Sequence, residues 1–193
     1  KVKPQALDKS VEWLKYEFVE HKENSCTIAM QWEKISIPFK VTVDVDNIVV
    51  NSLRKEMMSR KSFTPALELQ AAQYCLNKNI NLEEALRWSK NSITGPGGQK
   101  TYITLRNLAT AYEKLNRTPE ADSTMNEALL IATANQYTAY GRQLITQKRA
   151  DKALEIFLAS QKRYGDMVGV NNGLMNGYSA KGDFKNAIKY ADY

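Results

Sequence analysis

Few residues of this chain have the types and spacing that chemistry needs. His21 is the only histidine, and it sits in the polar stretch His21-Lys22-Glu23-Asn24, which reads as a hairpin loop. A base in such a loop cannot be oriented and desolvated as a Ser-His-Asp arrangement requires. One histidine and two distant cysteines, Cys26 and Cys75, do not make a zinc set. Asp44 and Asp46 are close enough to ligate calcium with help, but they read as a polar strand end and a helix cap. Glu83 and Glu84 fall in a first helical turn, where the macrodipole favours acids. Gly97-Gly98-Gln99-Lys100-Thr101 has the outline of a phosphate loop. Gln99 replaces the glycine required before the lysine, and no strand precedes it. The sequence therefore predicts no catalytic residue, no metal site and no cofactor, hence no enzyme.

The elements that position these residues belong to an ordinary globular chain. It has 193 residues, 43% hydrophobic and 25% charged, with a net charge of +6. Basic residues alternate with acids, as in Lys152, Glu155, Lys162 and Asp166, which describes a solvated surface and not a nucleic-acid footprint. No apolar run approaches the roughly 20 residues of a membrane span. Two cysteines are too few for a disulfide framework; a single bridge stays open, and two buried free thiols are the simpler expectation. The chain starts at Lys1 without a signal-peptide pattern and stops at Tyr193 inside a helical pattern, so it is expected to be a piece of a longer protein.

Up to about residue 46 the hydrophobic period is two. Leu14, Tyr16 and Phe18 share a face in 11–20, opposite Trp13. Cys26, Ile28, Met30 and Trp32 share one in 25–33. In 34–45 the alternation runs through Ile35, Ile37, Phe39, Val41, Val43 and Val45. These stretches predict three antiparallel strands, with Pro38 marking an edge or a bulge. Three strands need further strands or a helical layer on the dry face, expected upstream of Lys1. From there the period is helical. Asp46 or Asn47 can cap a helix to about Arg60 carrying Val49, Val50, Leu53 and Met57. Lys61-Ser62-Phe63 reads as a linker, and Thr64-Pro65 opens the next helix.

The strongest signal is a repeat. Ala85, Ala121, Ala153 and Ala187 each sit in a similar phrase, at spacings of 36, 32 and 34. Around them recur Leu108, Ala109, Tyr112, Met125 and Ala128, then Tyr140, Gly141, Leu144 and Phe157, then Leu174, Tyr178 and Gly182-Asp183. A first unit keeps Ala72, Ala85 and Trp88. Small residues let crossing helices approach, and a large neighbour fills the wedge between hairpins. The pattern resembles tetratricopeptide (TPR) repeats. Thr94-Gly95-Pro96-Gly97-Gly98-Gln99 should be an exposed loop between the first two units. The predicted fold is α+β, predominantly α: a three-stranded antiparallel remnant followed by a TPR-like α-α solenoid. The expected domains are 1–46 (strands), 47–63 (connecting helix and linker) and 64–193, with units at about 64–93, 101–131, 134–163 and 168–193.

Val11-Glu12-Trp13-Leu14-Lys15-Tyr16-Glu17-Phe18 and Trp32-Glu33-Lys34-Ile35-Ser36-Ile37-Pro38-Phe39 resemble the closing strands of a bacterial β-domain of unknown function. Ala71-Ala72, Tyr74-Cys75, the phrase from Leu82 to Trp88, and Tyr140-Gly141-Arg142 resemble the TPR-like helices that follow it in that uncharacterised family. The resemblance implies a β-sandwich-like unit extending upstream, and an exported protein in the periplasm or at the cell surface. TPR stacks usually bind extended segments on their concave face. The positions facing that groove map to Gln70, Tyr74, Arg106, Thr110, Arg142, Asn172 and Asn176. Two arginines and two asparagines there can hold a carboxylate. The expected function is a non-enzymatic scaffold that binds a protein or peptide, with self-association open and no nucleic acid. The rival is a small-ligand-binding or hydrolytic β-domain braced by the helices.

Overall fold

The structure, a computed structural model, describes residues 1–59 and 64–191. The linker expected at Lys61-Ser62-Phe63 lies outside them. The chain divides into two compact units, Lys1–Leu67 and Glu68–Tyr193, with the division inside a helix.

The first unit holds an antiparallel two-stranded ribbon, β1 (Gln5–Lys22) and β2 (Ser25–Thr42), joined at Glu23-Asn24. His21 and Lys22 are not loop residues; they pair with Cys26 and Ser25. The second and third expected stretches fall in the single element β2. Glu33 takes a left-handed φ of 50° opposite Val11, where the register with β1 shifts. The chain reverses within β2: the Val43 N–H donates to the Asn24 carbonyl at 2.9 Å, whereas a straight strand of this length would hold the two about 60 Å apart. Glu33 lies midway between them. Pairing with β1 ends at Gln5↔Ser36, and Pro38 lies beyond it. The expected dry faces are not dry. Trp13 is 80% exposed and Trp32 55%, while Ala29, Gln31 and Ser36 are the buried positions. Cys26 is half-buried and Cys75 buried, both as free thiols.

Helix α1 (Val45–Met58) follows. Its cap is Asp44, two residues earlier than expected. The Asp44 carboxylate accepts from the Asn47 backbone N–H at 3.1 Å and from Asn47 Nδ2 at 2.6 Å. That bond satisfies an orphan helix donor and accounts for this aspartate. Val50 and Leu53 are its buried residues.

The remaining helices are α2 (Pro65–Lys78), α3 (Leu82–Thr94), α4 (Tyr102–Lys114), α5 (Thr118–Leu130), α6 (Ala134–Thr146), α7 (Ala150–Tyr164), α8 (Val168–Ala180) and α9 (Phe184–Ile188). Thr64 Oγ1 accepts from the Leu67 N–H at 3.3 Å with Pro65 at the first helical position. The helices form hairpins α2/α3, α4/α5, α6/α7 and α8/α9, and each turn closes alike. Ile80, Arg117, Arg149 and Asp183 donate to the carbonyls of Cys75, Tyr112, Leu144 and Tyr178 at 2.9–3.0 Å. Asn79, Asn116, Lys148 and Gly182 donate to the carbonyls of Leu76, Glu113, Ile145 and Ser179, and all have left-handed φ of 56–77°. The pairing of a six-to-one and a five-to-two bond around a left-handed residue is a Schellman cap. It satisfies the carbonyls that end the first helix and sets the angle at which the second returns.

The joints between hairpins differ. Phe157 of α7 is fully buried, with Gly141 of α6 and Gly173 and Gly177 of α8 around its ring. A methyl on Gly173 would stand 2.6 Å from that ring, so the ring fits because the glycines are bare. The joint of α3 with α4 is polar instead. Asn107 Nδ2 donates to Ser89 Oγ at 2.8 Å, and Ser89 Oγ donates to the Ala85 carbonyl at 2.7 Å.

Candidate binding groove

Residues three and four apart share a helix face. On α4 that rule joins Tyr102, Arg106 and Thr110, and on α2 it joins Gln73, Leu76 and Asn77. These residues, with Ile103, Asn107 and Gln143 of α6, line a cavity of about 340 Å³. Arg106 is its single charged group, and amides make up most of the remaining polar lining. The guanidinium donates through Nη2 to Gln143 Oε1 at 2.5 Å, joining α4 to α6. Tyr102 Oη donates to the Gln136 carbonyl at 3.4 Å. Burial raises the Tyr102 phenol above its ordinary value, with Arg106 opposing, so it is a protonated donor at neutral pH.

A second cavity of about 220 Å³ lies across Arg106, Thr110 and Gln143, which it shares with the first. Its other charges are matched: Arg149 with Glu113 at 3.4 Å, and Asp122 with Lys152. Burial also raises the Tyr140 phenol; Arg149 opposes that, and Glu113 and Asp122 add to it. Arg106, half-buried and bonded to the neutral Gln143 amide, is thus the cation common to both cavities.

Of the expected groove residues, Arg106 and Thr110 line both cavities. Gln70 is exposed and Tyr74 half-buried on α2, Arg142 is exposed on α6, and Asn172 and Asn176 lie on α8; none of these lines either cavity. Arg106 and Arg142 are thus not brought together, and the cation's partner is Gln143. The shift on α2 has a countable cause. The left-handed turn residue precedes the anchor alanine by five positions in three hairpins and by six in the first, from Asn79 to Ala85. Counting back from Ala85 therefore lands one residue too far along α2, on Gln70 and Tyr74 and not on the face that carries Gln73. Arg106 and Thr110 were visible as a four-residue spacing, and Tyr102, one turn earlier on the same face, was missed. Gln143 carried no signal.

The groove has no acid paired with a base or nucleophile, and among the described residues no cluster of three metal-ligating side chains occurs. No described helix is long and apolar enough to cross a membrane. No family model and no curated protein matches the chain. Solved structures do. A crystal structure of MamA superposes with a TM-score of 0.51 at 14% identity, covering 76% of this chain and 85% of that one. Over that share of its length this chain has the fold of MamA. The Cut9 and Hcn1 hetero-tetramer of the APC/C follows at a TM-score of 0.49 and 19% identity, over 76% of this chain and 27% of that one. At 14% identity the likeness to MamA is one of fold. The helical unit is a TPR-like stack of hairpins.

Proposed function

We propose that the stack is a non-enzymatic interaction module whose groove binds an extended protein segment carrying a carboxylate. Arg106 carries this reading. It is half-buried, it is the single charge lining the larger of its two cavities, and its partner is the neutral Gln143 amide. A ligand carboxylate replaces that amide with a charged acceptor, and such bonds are about twice as strong as neutral ones. Gln73, Asn77 and Asn107 supply amide donors and acceptors for a peptide backbone beside it. The export implied by the family resemblance belongs to the same proposal and sets the periplasm or cell surface as the place to look for the partner.

The test is capture by immobilised protein in parallel with its Arg106→Ala and Arg142→Ala variants, scored by quantitative mass spectrometry. Arg106→Ala should lose the specific partner by about tenfold or more, with its thermal midpoint unchanged. Arg142→Ala should retain it. Equal recovery by wild type and Arg106→Ala sinks the groove reading.

A further inference from the structure

A third cavity, of about 260 Å³, lies among α3, α4 and α5 and shares no residue with the groove. Its floor is Ile93, Leu105 and Leu108; its rim is Lys90, Lys100 and Glu127. Lys100 is paired with Glu127, whereas the Lys90 ammonium lies 5.6 Å above the Tyr112 ring. The rim is therefore positive by one charge. The volume is below the roughly 300–1,000 Å³ of drug-sized sites and suits a single side chain.

The repeat shows what fits there. One hairpin on, Tyr137 takes the place of Leu105 in the following first helix, and Leu129 takes that of Ile93 in the preceding second helix. That position is filled. Tyr164 of α7 packs edge-on to Tyr137 with ring centres 6.1 Å apart, and its hydroxyl donates to the Ala132 carbonyl. Arg163 donates to the Leu129 carbonyl at 3.0 Å. Tyr164 lies eleven residues after the anchor Ala153, and eleven residues after Ala121 stands Ala132. α5 ends at Leu130, with Ala132 beyond it, so the cavity has no counterpart of the Tyr164 ring.

We infer that this cavity docks an aromatic side chain of an acidic peptide segment. The ring takes the place that Tyr164 holds one hairpin on, and flanking Asp or Glu meets the positive rim. Offset or edge-on ring contacts and burial of the apolar floor supply the attraction. This site is independent of the groove.

The probe is a fluorescein-labelled octapeptide of Asp and Ser with one central Phe, titrated by anisotropy against the full chain. Wild type should bind saturably. Replacing the Phe by Ala, or each Asp by Lys, should weaken binding by about tenfold or more, as should Leu108→Trp, which fills the cavity, and Lys90→Glu, which reverses its rim. Lys90 is exposed, so its variant tests the site even if Leu108→Trp perturbs folding. Arg106→Ala should bind within twofold of wild type. Three results overturn the inference: no saturation by wild type, loss on Arg106→Ala with Lys90→Glu unaffected, or a wild-type dimer in sedimentation equilibrium that Leu108→Trp dissolves. The last would make the occupant a second copy.

Discussion

Trp13 in the ribbon and Phe157 in the stack are both large aromatic residues, but one is 80% exposed and the other fully buried. The ribbon is as apolar as the stack in places: Leu14, Tyr16, Phe18, Trp32 and Ile35 are all at least half exposed. Phe157 is enclosed because helices on two sides present glycines to it, whereas a two-stranded ribbon has no second layer of its own. Hydrophobic type thus decides little until an element has a facing partner. The same contrast recurs inside the stack at smaller scale, where the α3–α4 joint uses the Ser89–Asn107 hydrogen bond in place of a ring.

The largest expected effect separates these two aromatics. Phe157→Ala should destabilise the protein by about 3–5 kcal/mol, through lost transfer energy and the cavity left between α6, α7 and α8. Because repeats are held by their neighbours, α8 and α9 should be lost first. Trp13→Ala should stay within about 0.5 kcal/mol. Urea unfolding followed by circular dichroism measures both. A large loss for Trp13→Ala would break the comparison, since it would mean that the ribbon is covered in solution.

A smaller effect tests the glycine cradle from the other side. A Cβ on Gly141 would overlap the Phe157 ring, while one on Gly169 would have only Asn135 Oδ1 within reach, at 3.9 Å. Gly141→Ala should cost about 1–3 kcal/mol through overpacking, despite alanine's better helix propensity. Gly169→Ala should be neutral or gain up to about 1 kcal/mol. Equal shifts in thermal midpoint for the two would show that the ring has room to move.

Much of the stack was legible because its signals are local. Ala85, Ala121, Ala153 and Ala187 mark helix crossings, and Thr64-Pro65 and Gly182-Asp183 mark a helix start and a turn. The ribbon was legible as strand. Alternation reports which face a residue is on, and the left-handed Glu33 falls where the second and third expected stretches meet. The groove was legible on α4 and lost on α2, where one extra residue between Asn79 and Ala85 rotates the helix face against the count. Gln143 is decided by how α6 sits beside α4, which is a packing outcome that no spacing within α6 encodes.

The smallest effect concerns a residue that the repeat tolerates against its local preference. Asn79, Asn116 and Gly182 are residue types that accept the left-handed region, and Lys148 takes the same place with φ of 60°. A lysine side chain there crowds its own backbone, at about 1 kcal/mol or somewhat more. The Schellman bonds at this turn, Lys148 N–H to Ile145 and Arg149 N–H to Leu144, are both 2.9 Å and use backbone alone, so glycine preserves them. Glycine also gives the unfolded chain more freedom, which offsets part of the relief. Lys148→Gly should therefore stabilise the stack by about 0.5–1 kcal/mol, and Lys148→Ala should not, since alanine keeps the Cβ. If both raise the thermal midpoint equally, the gain comes from removing a charge, and the third turn is no more strained than the other three.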